Sequence, residues 1–432
     1  MISTFKLFIL LLLKASSVLT QTSTEADTSS TPEDKRVYSD KRCLPGCFFK
    51  SNILQNSSFK LFPTNCSTVC APFGLHIGFE TDLNETQMTE TLKNVKNFVG
   101  SLTIMRTKFK SCNFFEKLEY IDCYNKGSFR IIMNSEMTEV GMKNLNRISC
   151  VVEIANNANL ERLNLPNVTP FFSKNANFSL LEVEFYGNSD NFCVTIEEMM
   201  HLSEKNTILD RYGRTTGKYC EVTDPTIYPT KTCDVRKTSL ENLDTGCVNI
   251  GGDLIIEGKD EDYVQKLETV EIVYGRLQIS GTNLTNTNFL GKLQKVMSIA
   301  KDRPTIQVDN NHALSNVSFP SLKKILSTVV NPVVLNNNSQ ELLNDPAYCN
   351  AISNRIARDE PQKVKFDGKI CSKNEYVWKK ELEIGNSGDI KLVVVPTSVA
   401  PSPFTPNPPN DNSSNNVFSV LVLVVFTVTV VS

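Results

Sequence analysis

The stretch Gly100-Ser101-Leu102-Thr103-Ile104, followed by Asn113-Phe114 and by Leu118 and Ile121, returns as Gly275-Arg276-Leu277-Gln278-Ile279, Asn288-Phe289, Leu293 and Val296. The match extends upstream to Leu92 and Val95 against Leu267 and Val270, and Thr107 matches Thr282; every pair is offset by 175 residues without a gap. Further along, Asn156, Asn157, Leu160, Leu163, Leu165, Pro166 and Val168 match Asn310, Asn311, Leu314, Val317, Phe319, Pro320 and Leu322 at an offset of 154. Two long in-register blocks mean that the chain holds two copies of one domain. The offset falls by 21 residues between the blocks, so the first copy carries one additional unit of a smaller internal repeat. Its mark is Leu-x-x-Ile-x-Cys, at Leu118, Ile121, Cys123 and again at Leu145, Ile148, Cys150.

Short alternating runs recur every 20 to 30 residues: Leu75–Ile77, Leu102–Ile104, Arg130–Met133, Val152–Ile154 and Leu181–Val183 in the first copy. The second copy has Leu254–Ile256, Leu277–Ile279, Ile306–Val308 and Val333–Leu335. Alternation turns one face of a strand inward and the other to solvent. A single such rung cannot hide its apolar face, whereas stacked rungs can. The pattern therefore predicts a parallel solenoid with Asn and Leu ladders at its corners. A βαβ sheet is the alternative, disfavoured because the rungs leave too little chain for a crossover helix at each turn.

The chain of 432 residues suits two domains plus appendages, and a hydrophobic content of 40% supports packed cores. A formal net charge of -2 gives no pointer to nucleic acid. Thirteen cysteines suit an oxidising compartment, and the odd count leaves one thiol over. Lys6, the apolar run Leu7–Leu13 and the small residues after it predict a signal peptide over 1–20. A disordered leader is expected over 21–42, a first domain over 43–220, a linker over 221–232 and a second domain over 233–371. A tail with a Pro/Asn/Ser stalk follows over 372–416. The apolar run 417–432 lacks a basic flank and fits a glycolipid-anchor signal, with Asn412 near the attachment point. A short membrane span or plain secretion is the alternative. Sequons at Asn56, Asn65, Asn84, Asn167, Asn177, Asn283, Asn316 and Asn337 are expected to carry glycans.

With Gly100–Ile104 and Gly275–Ile279, each followed by Asn-Phe-x-x-x-Leu-x-x-Ile/Val, the chain resembles the receptor L-domain family, the L domains of insulin and epidermal-growth-factor receptor ectodomains. It is most similar to the nematode-type group that carries two tandem L domains and no kinase. The resemblance implies a mainly β fold: two tandem right-handed parallel β-helix domains, each with a disulfide-tied C-terminal cap. It covers about 66–220 and 233–371. The receptors place a long cysteine-rich module between their L domains, whereas twelve residues separate Cys220 from Cys233 here. Their two-domain ligand geometry is therefore not carried over.

Matching pairs at the ends of the copies, Cys193 with Cys220 and Cys349 with Cys371, are expected to staple the last turns. Cys233 and Cys247 open the second copy as a further pair. Cys123 and Cys150 occupy equivalent places on successive rungs, at a spacing a disulfide accepts. Cys43, Cys47, Cys66 and Cys70 allow three connectivities, with zinc as the rival use, and Cys112 is left as a buried thiol. His76, His201 and His312 lie near no nucleophile or metal spacing, the Gly246–Gly252 segment lacks a phosphate-loop pattern, and the outward strand positions do not cluster carboxylates. No cofactor and no catalysis are expected. The resemblance implies an extracellular, kinase-less decoy or co-receptor for insulin-like or growth-factor-like peptides or other proteins, held at the outer membrane face. A structural or adhesive glycoprotein is the alternative. Ligand contact in the family lies on the sheet face of the first L domain, which here points to the outward positions Thr103, Arg130 and Glu153.

Overall fold

The computed structural model describes residues 34–397, apart from 125–126, 171–180, 204–206, 210–213, 224–227, 229, 340–363, 371–376 and 385–389. The chain divides into a unit ending at Tyr376 and a second from Val377 onward, and both repeat copies fall in the first.

The first copy runs through β1 (Thr68–Cys70), β2 (Leu75–Ile77), β3 (Asn97–Val99), β4 (Leu102–Met105), β5 (Tyr120–Asp122), β6 (Ser128–Ile132), β7 (Arg147–Ile148), β8 (Val151–Ala155), β9 (Thr169–Pro170), β10 (Leu181–Tyr186), β11 (Cys193–Val194), β12 (Thr207–Leu209) and β13 (Lys218–Tyr219). Through β10, successive strands alternate between two parallel sheets, a short one in the order β1-β3-β5-β7-β9 and a long one in the order β2-β4-β6-β8-β10-β12, while β11 and β13 pair as a separate two-stranded sheet. The second copy repeats the scheme with β14 (Thr232–Asp234), β15 (Asn249–Gly251), β16 (Leu254–Ile256), β17 (Ile272–Tyr274), β18 (Leu277–Ser280), β19 (Lys295–Met297), β20 (Ile306–Asp309), β21 (Lys324–Leu326), β22 (Val333–Asn336), β23 (Val364–Phe366) and β24 (Lys369–Ile370). Its short sheet is β14-β15-β17-β19-β21, and its long sheet β16-β18-β20-β22-β23-β24 is parallel except for the last pair. The 21-residue excess of the first copy is one strand in each sheet. Strands β6 and β7 stand between elements whose counterparts, β18 and β20 or β19 and β21, are direct neighbours.

Each repeat unit thus holds two strands where the sequence pattern showed one. The Leu-x-x-Ile/Val element reads as a corner, but its last residues form β5 and β19. Three-residue strands are too short to display alternation. The inward rows are apolar: Leu102 pairs with Phe129 and Phe129 with Val152, and the next row runs Ile77, Ile104, Ile131, Ile154, Phe185. All of these side chains are buried. Burial of a side chain of this kind is worth about 1.5–3 kcal/mol, so the stack is held mainly by its interior.

The long-sheet strands end at left-handed residues, Arg106, Met133, Asn156 and Gly187 in the first copy and Gly281, Asn310 and Asn337 in the second. Directly after them runs a buried ladder. Asn134 Nδ2 donates to the Ile104 carbonyl at 3.0 Å, and Asn134 Oδ1 accepts from the Thr107 amide and hydroxyl at 3.0 and 2.7 Å. Asn157 and Asn188 continue the ladder, and Thr282, Asn311 and Asn338 rebuild it in the second copy. Asn serves here because its amide oxygen accepts from the preceding corner while its two N–H groups donate to that corner's carbonyl and to the next Asn of the ladder.

Disulfides join Cys43 to Cys70, Cys47 to Cys66, Cys123 to Cys150, Cys193 to Cys220 and Cys233 to Cys247. The N-terminal quartet is thereby consumed in two bridges and offers no zinc site. Cys112 is free and buried, and burial pushes its thiol well above the ordinary range. Cys349 and Cys371 lie outside the described residues.

Two segments depart from their compositional reading. Lys35–Ser39, assigned to a disordered leader, forms a 3₁₀ turn that buries Val37 completely. One apolar side chain and a set of Asp–Arg pairs order a stretch whose average composition is polar. Within the second unit, Val377–Ile384 and Ile390–Thr397 pair as an antiparallel hairpin in a region read as tail. Their alternating Val, Leu, Ile and charged residues outweigh the Pro-rich sequence that follows.

The two copies share a sealed junction. The outward row of the second copy's short sheet, Tyr274, Met297 and Leu326, belongs to the same buried cluster as Phe192, Ile196, Met199, Tyr219 and Val222 of the first copy. The Tyr219 hydroxyl donates to the Met297 carbonyl at 3.0 Å, and its ring meets Tyr274 edge-on. Arg236 donates to the carbonyls of Tyr219 and Cys220, held by an ion pair with Asp234. Lys324 Nζ donates to the Ser203 carbonyl at 3.1 Å. Burial there, with Lys295 close by, lowers the Lys324 ammonium to about 8.

Candidate ligand-binding face

The three positions singled out by sequence, Thr103, Arg130 and Glu153, are consecutive register partners on the outer face of the first long sheet. The row begins with His76, paired to Thr103, and ends with Glu184, paired to Glu153. The pleat that buries Leu102 and Ile104 turns Thr103 outward, and the same parity places its partners beside it. A second row on this face, two residues downstream, reads Met105, Ile132, Ala155 and Tyr186. The face therefore pairs a charged stripe with an apolar one.

The charged stripe is internally linked. Arg130 Nε lies 3.1 Å from Glu153 Oε2, and Arg130 is half exposed while Glu153 is largely covered. The Tyr186 hydroxyl donates to Glu153 Oε1, and burial together with that carboxylate raises the phenol to about 12. Arg214 pairs with the buried carboxylate of Glu184 and stacks its guanidinium 4.6 Å above the Tyr186 ring. Two exposed guanidiniums are thus positioned by carboxylates that hide behind them, an arrangement that presents rigid donors to a partner. Beyond the apolar row, Met133 sits in the left-handed region and stays exposed, as does Arg106. Non-glycine residues cost about 1–2 kcal/mol in that conformation.

Tyr186, Glu184 and Arg214 escaped the sequence reading. The run Glu182-Val183-Glu184-Phe185-Tyr186 alternates, and its parity matches that of Glu153, so two of the three were accessible in principle. Arg214 lies in a loop, where no periodicity marks it.

The second copy offers a quieter face. Its rows are Ile255, Gln278, Gln307, Val334, Lys365 and Ser280, Asp309, Asn336. Burial raises the Asp309 carboxyl, and Oδ1 of Asp309 and of Asn336 are both without a hydrogen-bond partner. Among the described residues, no group of three or more His, Cys, Asp or Glu is arranged to hold a metal ion. The described sequon residues, Asn56, Asn65, Asn84, Asn167, Asn283, Asn316 and Asn337, are all exposed, and none lies within a long-sheet strand. Asn177 and Asn412 fall outside the described residues.

The model of one family, the Receptor L domain, matches residues 65–204 and 246–352. No curated protein matches the chain. The two matched segments together exceed half of the sequence, and each covers most of one set of paired parallel sheets. The chain belongs to the Receptor L domain family, whose members are extracellular ligand-binding modules of receptors, and it carries that domain twice.

Proposed function

We propose that the protein is a receptor-like binder at the cell surface, acting as a decoy or co-receptor for insulin-like or growth-factor-like peptides or related protein ligands. The observation that carries this reading is the outer face of the first long sheet, where Thr103, Arg130 and Glu153 stand in one row beside the apolar row of Met105 and Ile132. Charged groups held rigidly next to an apolar stripe suit a folded peptide with both kinds of side chain. Seven exposed sequons, all off the long-sheet strands, leave that face open if they carry glycans.

In this reading, strands that alternate between two sheets coil as a right-handed β-helix in each copy, and Cys349 and Cys371 close the second cap as Cys193 and Cys220 close the first. The signal peptide over 1–20 routes the chain to the outer face of the plasma membrane, and the run 417–432 is exchanged for a glycolipid near Asn412. Held at the surface by lipid, the protein acts by sequestering or presenting its ligand.

Calorimetry of the soluble protein against a panel of insulin-like and growth-factor-like peptides tests the reading. Saturable binding that Arg130→Glu weakens supports it. A panel that shows no heat at any concentration removes it in favour of an adhesive role.

A further inference from the structure

We infer that the chain is built to be cut after Arg42 by an endoprotease that recognises paired basic residues, so that the strap ending there is removable and Cys43 becomes the working N-terminus. The inference rests on the extracellular reading above, which places the chain where such proteases act. Lys-Arg occurs twice in the 432 residues, at Lys35-Arg36 and Lys41-Arg42, within one eight-residue stretch. Both pairs precede the first cysteine, Cys43, so no disulfide ties anything upstream to the body.

The local structure favours the second pair. Lys41, Arg42, Leu44, Pro45 and Gly46 are exposed, and only Cys43 among them is buried. After the first pair comes Val37, fully buried, with its amide bonded to the Asp34 carbonyl at 3.1 Å. Cutting there requires a core side chain to leave. Cutting at Arg42 requires an exposed guanidinium to release Asp40, Asp122 and the Tyr120 hydroxyl, and the Cys43 amide to leave the Asp40 carbonyl at 2.9 Å, while the Cys43 side chain stays in place through its disulfide. Water adds across the Arg42–Cys43 bond, leaving a carboxylate on Arg42 and an ammonium on Cys43. Bridges from Cys43 to Cys70 and from Cys47 to Cys66 hold the new terminus in place.

What the strap covers gives the cut a consequence. Val37 and Cys43 pack with Cys70, Val99 and Tyr124 on the outer side of the first short sheet. The equivalent positions in the second copy, Gly251 for Cys70 and Tyr274 for Val99, are sealed by the first copy's end: a Cβ on Gly251 would lie 3.0 Å from Ile196 Cδ1. The strap thus occupies the surface that the second copy uses for a domain-to-domain contact. Its hold is entirely non-covalent: the Asp34 amide to the Pro72 carbonyl at 2.6 Å, Arg42 to Asp122 at 2.8 Å, and the Tyr124 hydroxyl to Asp40. Asp122 keeps the Ser149 hydroxyl, the Tyr120 hydroxyl and the Tyr124 amide as donors once Arg42 is gone. The sheet is therefore not left with a bare buried carboxylate.

The test incubates the folded full chain, produced in cells that lack such proteases, with a purified Lys-Arg-specific endoprotease. Intact mass and N-terminal sequencing read the product. The expected result is a chain beginning at Cys43, with the upstream peptide separable by gel filtration under native conditions. Lys41→Gln, an exposed change whose melting curve should match the parent's, is expected to abolish that cut. A chain that stays intact, is cut first beyond Cys43, or is cut only after Arg36 overturns the inference. The assay needs no ligand, so a chain that is cut but binds no peptide sinks the functional reading and leaves this one standing.

Discussion

The fully buried Asn134 side chain meets its neighbours through four hydrogen bonds. Asn134→Leu keeps the volume and strips those bonds, leaving the Thr107 amide and the Ile104 carbonyl unsatisfied. A loss of about 2–3 kcal/mol is expected, read as a lower midpoint in urea unfolding. Lys324 makes the opposite prediction. Its folded-state value of about 8 lies below the ordinary lysine range, so the folded state resists the charged form. The cost is fully present below pH 8, shrinks as pH rises toward the unfolded value and is gone above it. Lys324→Met should therefore stabilise the protein at pH 7 by up to about 3 kcal/mol, with the advantage fading toward pH 10 in a pH series of melts. The Asn-Asn pairs at 156–157 and 310–311 announced this ladder in the sequence, because the same doublet recurs in both copies. Arg106 and Met133 gave no such warning. Nothing in their chemistry favours the left-handed backbone they adopt, and only the surrounding stack imposes it.

Glycine does structural work where one strand leaves a short sheet and the next enters the long one. At Gly275 φ is 158°, and an added Cβ would lie 2.2 Å from the Gly252 carbonyl oxygen. At Gly100 φ is 137°, and the corresponding contact is 2.4 Å from the Ala71 oxygen. The obstacle is backbone in both cases and cannot swing aside. Gly275→Ala is expected to cost about 3 kcal/mol or more, in the range of mutations that clash with fixed backbone. Gly46→Ala, with nothing within 4 Å, is expected to be silent in the same melting experiment. These two corner glycines stood out in the sequence because they repeat at the 175-residue offset. The long-sheet strands were legible by alternation. The short-sheet strands were hidden, since their three residues fix a register only by stacking on neighbours from other turns.

Across the whole molecule, two copies of one domain could be counted from the sequence, but the way they join could not. Tyr219 reads as an ordinary residue near a cysteine, and Tyr274 as a strand residue. Their contact spans parts of the chain far apart in sequence, which no periodicity encodes. Tyr219→Ala should open a cavity between the copies and cost about 3–5 kcal/mol. A single calorimetric transition in the parent is then expected to split or broaden, as the copies lose their shared core. That Thr103, Arg130 and Glu153 share one outward row was legible by parity, because each follows a buried strand residue. The guanidinium of Arg214 was not, because a loop brings it there.

The central claim is that ligand meets the outer face of the first long sheet. Amide hydrogen exchange, with and without whichever peptide the calorimetric panel shows to bind, tests it most directly. The account predicts slowed exchange in and around 102–105, 128–132 and 151–155. Protection confined to the second copy, or to the sequon-bearing corners, would contradict it.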